Sequence, residues 1–221
     1  MAINIENNIY FKNQNEASKR LIETLPIELL SHHDTVVLGV TENGVYLAQQ
    51  IAKAIDAKLD ILLTEAIIAP NNHKLAIAMV SETEDVVIHK ALINSFGINE
   101  DYIYNEANRK YDEEILNYVY KYRKGKEMTS LQGKYVVLVA DAIETGLTMM
   151  VALKSVIAKE AKYIYIAVPI VDKLIYQNLV TVSDGVFCTH IVQDYISIEY
   201  YYENIEPFTF DDIVSALENN N

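Results

Sequence analysis

The sequence predicts an α/β fold with a mostly parallel central sheet flanked by helices. Three observations carry this expectation. Apolar, β-branched runs alternate with segments whose apolar residues recur at helical spacing, the pattern of strand–helix–strand crossovers. The runs at 36–40 (VVLGV) and 135–139 (YVVLV) are apolar throughout, as strands covered on both faces are. The second run leads into an acid and then a Thr-Gly-x-Thr turn that opens another helical stretch, an order that puts a ligand at the carboxyl edge of a parallel sheet.

Taken in order, residues 15–30 place Ala17, Leu21 and Leu25 on one side of a helix, and 36–40 form a buried strand. A helical run begins at Gly44 and continues through Ala57. Residues 59–63, 75–80 and 86–88 read as strands, the last as the second arm of a hairpin in EDVVIHK. Residues 99–122 form a long, charged helix with apolar and tyrosine stripes. After strand 135–139 come a helix at 149–158, a strand at 163–168, a helical connection at 172–180 and a strand at 185–191. With no internal repeat and no low-complexity linker, 1–221 reads as a single domain with a frayed tail at 219–221.

The turn after 135–139 carries the chemistry. Thr145, Gly146, Leu147 and Thr148 open a helix, so backbone N–H groups and two hydroxyls point above the sheet's carboxyl edge, where a helix amino terminus favours phosphate. Asp141, at the strand end, can accept hydrogen bonds from a sugar diol or hold a magnesium ion beside that phosphate.

This segment, YVVLVADAIETGLTM, resembles the phosphoribosyl diphosphate (PRPP) signature of type I phosphoribosyltransferases: a hydrophobic strand, two acids, three variable residues, then Thr-Gly-x-Thr or Ser. Further segments are similar to a bacterial phosphoribosyltransferase-like subgroup. They are FKNQNEASKRLIETL at 11–25, TVVLGVTENGVYLA at 35–48, EAIIAPNNHKLAIAMV at 65–80 and YYENIEPFTFDDIVSAL at 201–217. The resemblance covers nearly the whole chain in the expected order. It implies a type I phosphoribosyltransferase-like fold with a small hood/hairpin region. It also implies transfer of ribose 5-phosphate from PRPP to a nitrogenous base, of the nucleotide-salvage type, with release of diphosphate and with Mg²⁺ as cofactor. On that template Thr145, Gly146, Leu147 and Thr148 hold the 5-phosphate and Asp141 the ribose hydroxyls, with Mg²⁺ met indirectly or through the ligand. Thr41, Glu42, Asn43 and Gly44 form the diphosphate loop, and Glu144 is a candidate contact for the base, where a carboxylate stabilises the proton or charge that develops. Arg123, Lys124 and Lys126 fall where the family's mobile loop delivers basic groups.

Several positions depart from that template. Ala140 stands where the first acid is usual, and Glu42 where a cation is usual. Glu65 and Ala66 replace an Arg-Lys pair, while Ile68 and Leu147 replace glycines. Lost cations around a leaving dianion slow chemistry more than they weaken binding of a simple 5-phosphate. The alternative expectation is therefore a catalytically impaired homologue that binds a nucleotide or sugar phosphate in a regulatory or assembly role.

Composition bounds the rest. The 221 residues are 51% hydrophobic, enough for a substantial core and too apolar for a disordered chain. A formal net charge of −13 opposes nucleic acid and anionic membranes as partners; the resemblance implies a small sugar phosphate or nucleotide as the partner, and a homodimer, since the family often dimerises. The single cysteine, Cys188, lies in an apolar strand read as buried and forms no intrachain disulfide. His32, His33, His73, His89 and His190 show no metal-ligand spacing, and His73 is a minor candidate for substrate contact. The start, MAINIENNIYFKNQ, lacks a basic segment followed by an apolar run, and no stretch reaches ~18 apolar residues, so a cytoplasmic location is expected.

Overall fold

The computed structural model describes residues 10–220. Most of the amino-terminal segment used for the expectation about a leader, and Asn221 of the expected tail, lie outside the described residues. Of that tail, Asn219 caps the last helix and Asn220 Nδ2 donates to Ala216 O at 2.8 Å.

Helix α1 (Gln14–Ile22) starts at Asn13, whose side chain accepts from the Glu16 amide at 3.0 Å. The single helix expected over 15–30 is two helices. Pro26 has no N–H and disfavours helix in the residue before it, so the chain breaks there and restarts as α2 (Ile27–Ser31). Strand β1 (Thr35–Gly39), helix α3 (Glu42–Ile55) and strand β2 (Lys58–Ile61) follow.

The hairpin region has three strands, β3 (Thr64–Ala69), β4 (Asn72–Ser81) and β5 (Val86–Ile88), paired antiparallel in that order. Strand β3 has no counterpart in the sequence reading, because its partly exposed positions give no clean alternation. Helix α4 (Lys90–Phe96) ends at Gly97. Then α5 (Glu100–Lys110), a π-helical turn (Tyr111–Ile115) and α6 (Leu116–Arg123) run on as the expected long helix.

Strand β6 (Tyr135–Val139), helix α7 (Leu147–Ala158), strand β7 (Tyr163–Asp172), helix α8 (Lys173–Val180) and strand β8 (Gly185–Val192) complete the main sheet. Two carboxyl-terminal helices, α9 (Ile198–Tyr201) and α10 (Phe210–Glu218), close the described chain.

The five main strands run parallel in the order β2-β1-β6-β7-β8. Alternation assigns each side chain to a face. Val37, Val137, Val139 and Ala167 join one buried layer with Leu21 of α1 and Leu47 and Ile51 of α3. Val36, Leu38, Val136, Leu138 and Ile166 join the other with Met149, Leu153 and Val156 of α7 and Leu179 of α8. Each such large side chain contributes about 1.5–3 kcal/mol relative to exposure, so both helical layers are anchored. Cys188 is half-buried, not fully enclosed as expected, because β8 is the edge strand. Burial pushes its thiol pKa up. Among the described residues no helix is long and apolar enough to cross a membrane.

Register positions the site. Gly39 of β1 lies beside Val139 of β6, so Thr41 and Asp141 leave the sheet at one level although 100 residues separate them.

Candidate functional site

At this edge Thr41 caps α3: its Oγ1 accepts from the Gly44 amide at 3.0 Å and donates to Asp141 Oδ1 at 2.8 Å. Residue 44 is glycine because α3 begins against β6. A Cβ there would lie 2.6 Å from Thr41 Oγ1 and 2.7 Å from Val139 O. Gly146, at the start of α7, has φ +75°, and a Cβ on it would meet Ile175 Cγ2 at 2.8 Å.

These residues surround a cavity of about 260 Å³ whose wall includes Thr41, Asp141, Glu144, Thr145, Gly146, Thr148 and Tyr195. A second cavity, of about 230 Å³, is lined by residues including Thr41, Glu42, Glu65, Tyr118 and Tyr122. Val40 and Thr41 belong to both. The structure thus brings together Thr41, Glu42, Asp141, Glu144, Thr145, Gly146 and Thr148. Three predicted residues face elsewhere. Leu147 buries its side chain with Met79 and Val151 beneath the hairpin sheet, Asn43 Oδ1 accepts from the Phe208 amide at 3.1 Å, and Gly44 lies buried. Ala140 is also buried. His73 sits exposed on β4, in the lining of neither cavity.

The electrostatics are one-sided. Among the described residues neither cavity has a Lys or Arg in its lining, whereas Asp141 and Glu144 line one and Glu42 and Glu65 the other. Glu42 accepts from Tyr122 Oη at 3.2 Å, and burial together with that carboxylate raises the Tyr122 pKa. Glu65 lies 3.4 Å from Lys110, which also pairs with Glu114 at 2.6 Å; burial still raises the Glu65 pKa. Unit charges about 4 Å apart exchange roughly 4 kcal/mol at an effective dielectric near 20, against about 0.3–1 kcal/mol from a helix terminus. Glu42 is exposed, so toward a second anion its repulsion falls toward roughly 1 kcal/mol for each charge it meets. In the first cavity the pKa of the Tyr195 hydroxyl is pushed up by burial and by Asp141 and Glu144. Tyr202, buried and affected by Asp141 and Tyr195, has a hydroxyl with no hydrogen-bond partner among the described residues.

The basic residues expected over the site lie elsewhere. Arg123 is 7% exposed, ion-paired with Glu82, and its Nη1 is 3.7 Å from Asp60 Oδ1. Buried Asp60 and Glu82 require a compensating charge, and Arg123 supplies it. Lys124 pairs with Glu218 at 2.9 Å in solvent, and Lys126 lines a separate cavity of about 660 Å³ with Glu82, Glu127 and Lys159. Tyr122 and Tyr195 are site residues that sequence reasoning missed, since only tertiary packing distinguishes them among the chain's 16 tyrosines. Among the described residues no three His, Cys, Asp or Glu side chains are arranged to hold a metal ion.

A parallel α/β domain with a helix-terminus loop and a strand-end carboxylate at its carboxyl edge defines the class. Residues 7–193 match the phosphoribosyl transferase domain model, and the chain belongs to this family. It is 27% identical over 208 residues to the Mycobacterium tuberculosis (strain H37Rv) protein named "Putative phosphoribosyl transferase Rv0571c", a match covering 94% of this chain and 46% of that one. The corresponding protein of strain CDC 1551, MT0597, matches with the same figures. The chain thus spans about half the length of the curated relatives it matches. Among solved structures it is similar to TT1426 from Thermus thermophilus, with a TM-score of 0.76 and 26% identity over 95% of this chain and 98% of that one.

Proposed function

We propose that the chain binds a ribosyl 5-phosphate compound, a sugar phosphate or nucleotide, and that transfer from PRPP to a base is impaired. The phosphate rests on Thr145, Gly146 and Thr148 and on the backbone N–H of Leu147 at the start of α7, and Asp141 accepts from the ribose hydroxyls. The observation that carries this reading is the absence, among the described residues, of any Lys or Arg from the lining of either cavity. A helix terminus and two hydroxyls are enough for one phosphate. A departing diphosphate needs cationic stabilisation as its bond to the anomeric carbon breaks. Magnesium, if used, arrives on the ligand's own phosphates.

A second reading, turnover with a nitrogenous base, is favoured by Glu144 and Asp141 lining one cavity. There Asp141 would orient the ribose while the C–O bond to diphosphate breaks and a C–N bond to the base forms, and Glu144 would take the proton the base releases.

Calorimetric titration with ribose 5-phosphate, PRPP and diphosphate, each with and without Mg²⁺, tests both. Binding of ribose 5-phosphate that is lost in Thr145→Ala supports the first reading. Tight, magnesium-dependent PRPP binding followed by base-dependent diphosphate release would establish the second, and no binding of any of the three would sink both.

A further inference from the structure

We infer that Glu42 sets the charge of the group this site accepts at the anomeric carbon, favouring a cationic substituent and rejecting a diphosphate. The inference rests on the ribosyl 5-phosphate reading above and extends it to a substrate class. A ribose carries its 5-phosphate and its anomeric substituent at opposite ends of the ring. With the phosphate on the Thr145–Thr148 turn and the diol on Asp141, the anomeric end points past Thr41, whose hydroxyl holds Asp141 and whose side chain also lines the second cavity.

In that second cavity Glu42 is the uncompensated charge. Among the described residues it forms no ion pair and has only the Tyr122 hydroxyl as a donor, whereas Glu65 is met by Lys110. Glu42 is exposed at the mouth of this cavity, where its carboxylate repels an anionic substituent and attracts a cationic one, most strongly at low ionic strength. The ligand class is therefore a 5-phosphoribosyl compound with a positively charged nitrogen at the anomeric carbon, such as a pyridinium ribonucleotide or a protonated ribosylamine.

The test is calorimetric titration of the full chain, in magnesium-free buffer at low salt, with three ligands that share the 5-phosphate and differ at the anomeric carbon. Nicotinamide mononucleotide carries a pyridinium there, ribose 5-phosphate a hydroxyl and PRPP a diphosphate. The expected order of affinity is pyridinium, hydroxyl, diphosphate, with about tenfold or more between the extremes. Glu42→Gln narrows that ratio at least about fivefold, while Tyr122→Phe, which removes the hydrogen bond and keeps the charge, leaves the order intact. Far-UV circular dichroism verifies that both variants are folded. PRPP binding as tightly as the pyridinium ligand, or an unchanged ratio in Glu42→Gln, overturns the inference while ribose 5-phosphate binding keeps the ligand reading. Failure of all three ligands to bind overturns both.

Discussion

Thr41 Oγ1 donates to Asp141 Oδ1 at 2.8 Å while accepting from the Gly44 amide at 3.0 Å, so one hydroxyl ties the start of α3 to the carboxylate at the end of β6. Thr41→Val keeps the shape of the side chain and removes both bonds. The cap alone is worth about 0.5–2 kcal/mol, and thermal unfolding should record a loss of that size. Asp141, released from its donor, should also hold ribose hydroxyls less well, lowering ribose 5-phosphate affinity by about fivefold. Thr41→Ser should restore both properties. A valine variant that binds as tightly as wild type would mean that Asp141 is oriented by something other than Thr41.

Gly146 carries two separate constraints, a φ of +75° and the 2.8 Å approach of Ile175 Cγ2 to the position a Cβ would take. Gly146→Ala incurs the cost of a left-handed backbone, about 1–2 kcal/mol, and must also displace Ile175. Destabilisation by about 2 kcal/mol or more is expected in urea unfolding. Because the displaced backbone opens α7, ribose 5-phosphate binding should weaken in the fraction that remains folded.

The parts of this molecule legible in the sequence are those encoded over a few residues. The run 135–139 is apolar at every position, and Asp141 and the Thr-Gly-x-Thr turn follow at fixed short distance, so strand, acid and helix start are local facts. The alternation of strands and helices likewise specifies the parallel sheet. The partner of a charged side chain is not local. Arg123 sits in a basic run that looks like a loop reaching over a ligand, yet its partner Glu82 is 41 residues away. The bond from Tyr122 to Glu42 spans 80 residues. Strand β3 escapes the sequence reading for a related reason: Glu65 and Ala66 become strand residues by pairing with Val80 and Met79.

Arg123 should behave as a structural residue. Arg123→Met leaves Glu82 and Asp60 as buried carboxylates without their cation, a change that typically costs about 3–5 kcal/mol. Desolvation already raises the Glu82 pKa despite the guanidinium. The folded protein therefore holds the Glu82 proton more tightly than the unfolded chain does. Removing Arg123 should raise that pKa further, so the variant should recover stability relative to wild type as pH falls from neutral toward the ordinary carboxylate range. Urea unfolding at a series of pH values measures both effects. A variant as stable as wild type at neutral pH would show that the buried pair is not what holds this region.

His190 provides a titration of opposite sign. Its ring stacks on Tyr10 with centroids 4.2 Å apart, and Nε2 lies 3.1 Å from Arg20 Nη2. A guanidinium can only donate, so Nε2 is the acceptor and the imidazole is neutral with its proton on Nδ1. Burial first, and then the Arg20 charge, lower the His190 pKa below the ordinary histidine value. Well above about pH 6.5 neither the folded nor the unfolded state binds this proton, and the group contributes no pH dependence. As pH falls through that value the unfolded chain protonates first, and stability drops until the folded protein's own lowered pKa is passed. His190→Phe retains a ring against Tyr10 and cannot titrate. Its stability relative to wild type should therefore rise steadily as pH is lowered from about 7 to about 5, the range in which histidine charge changes. Identical pH profiles for the two proteins would mean that His190 charges as readily in the folded state as in the unfolded chain, contrary to its contact with Arg20.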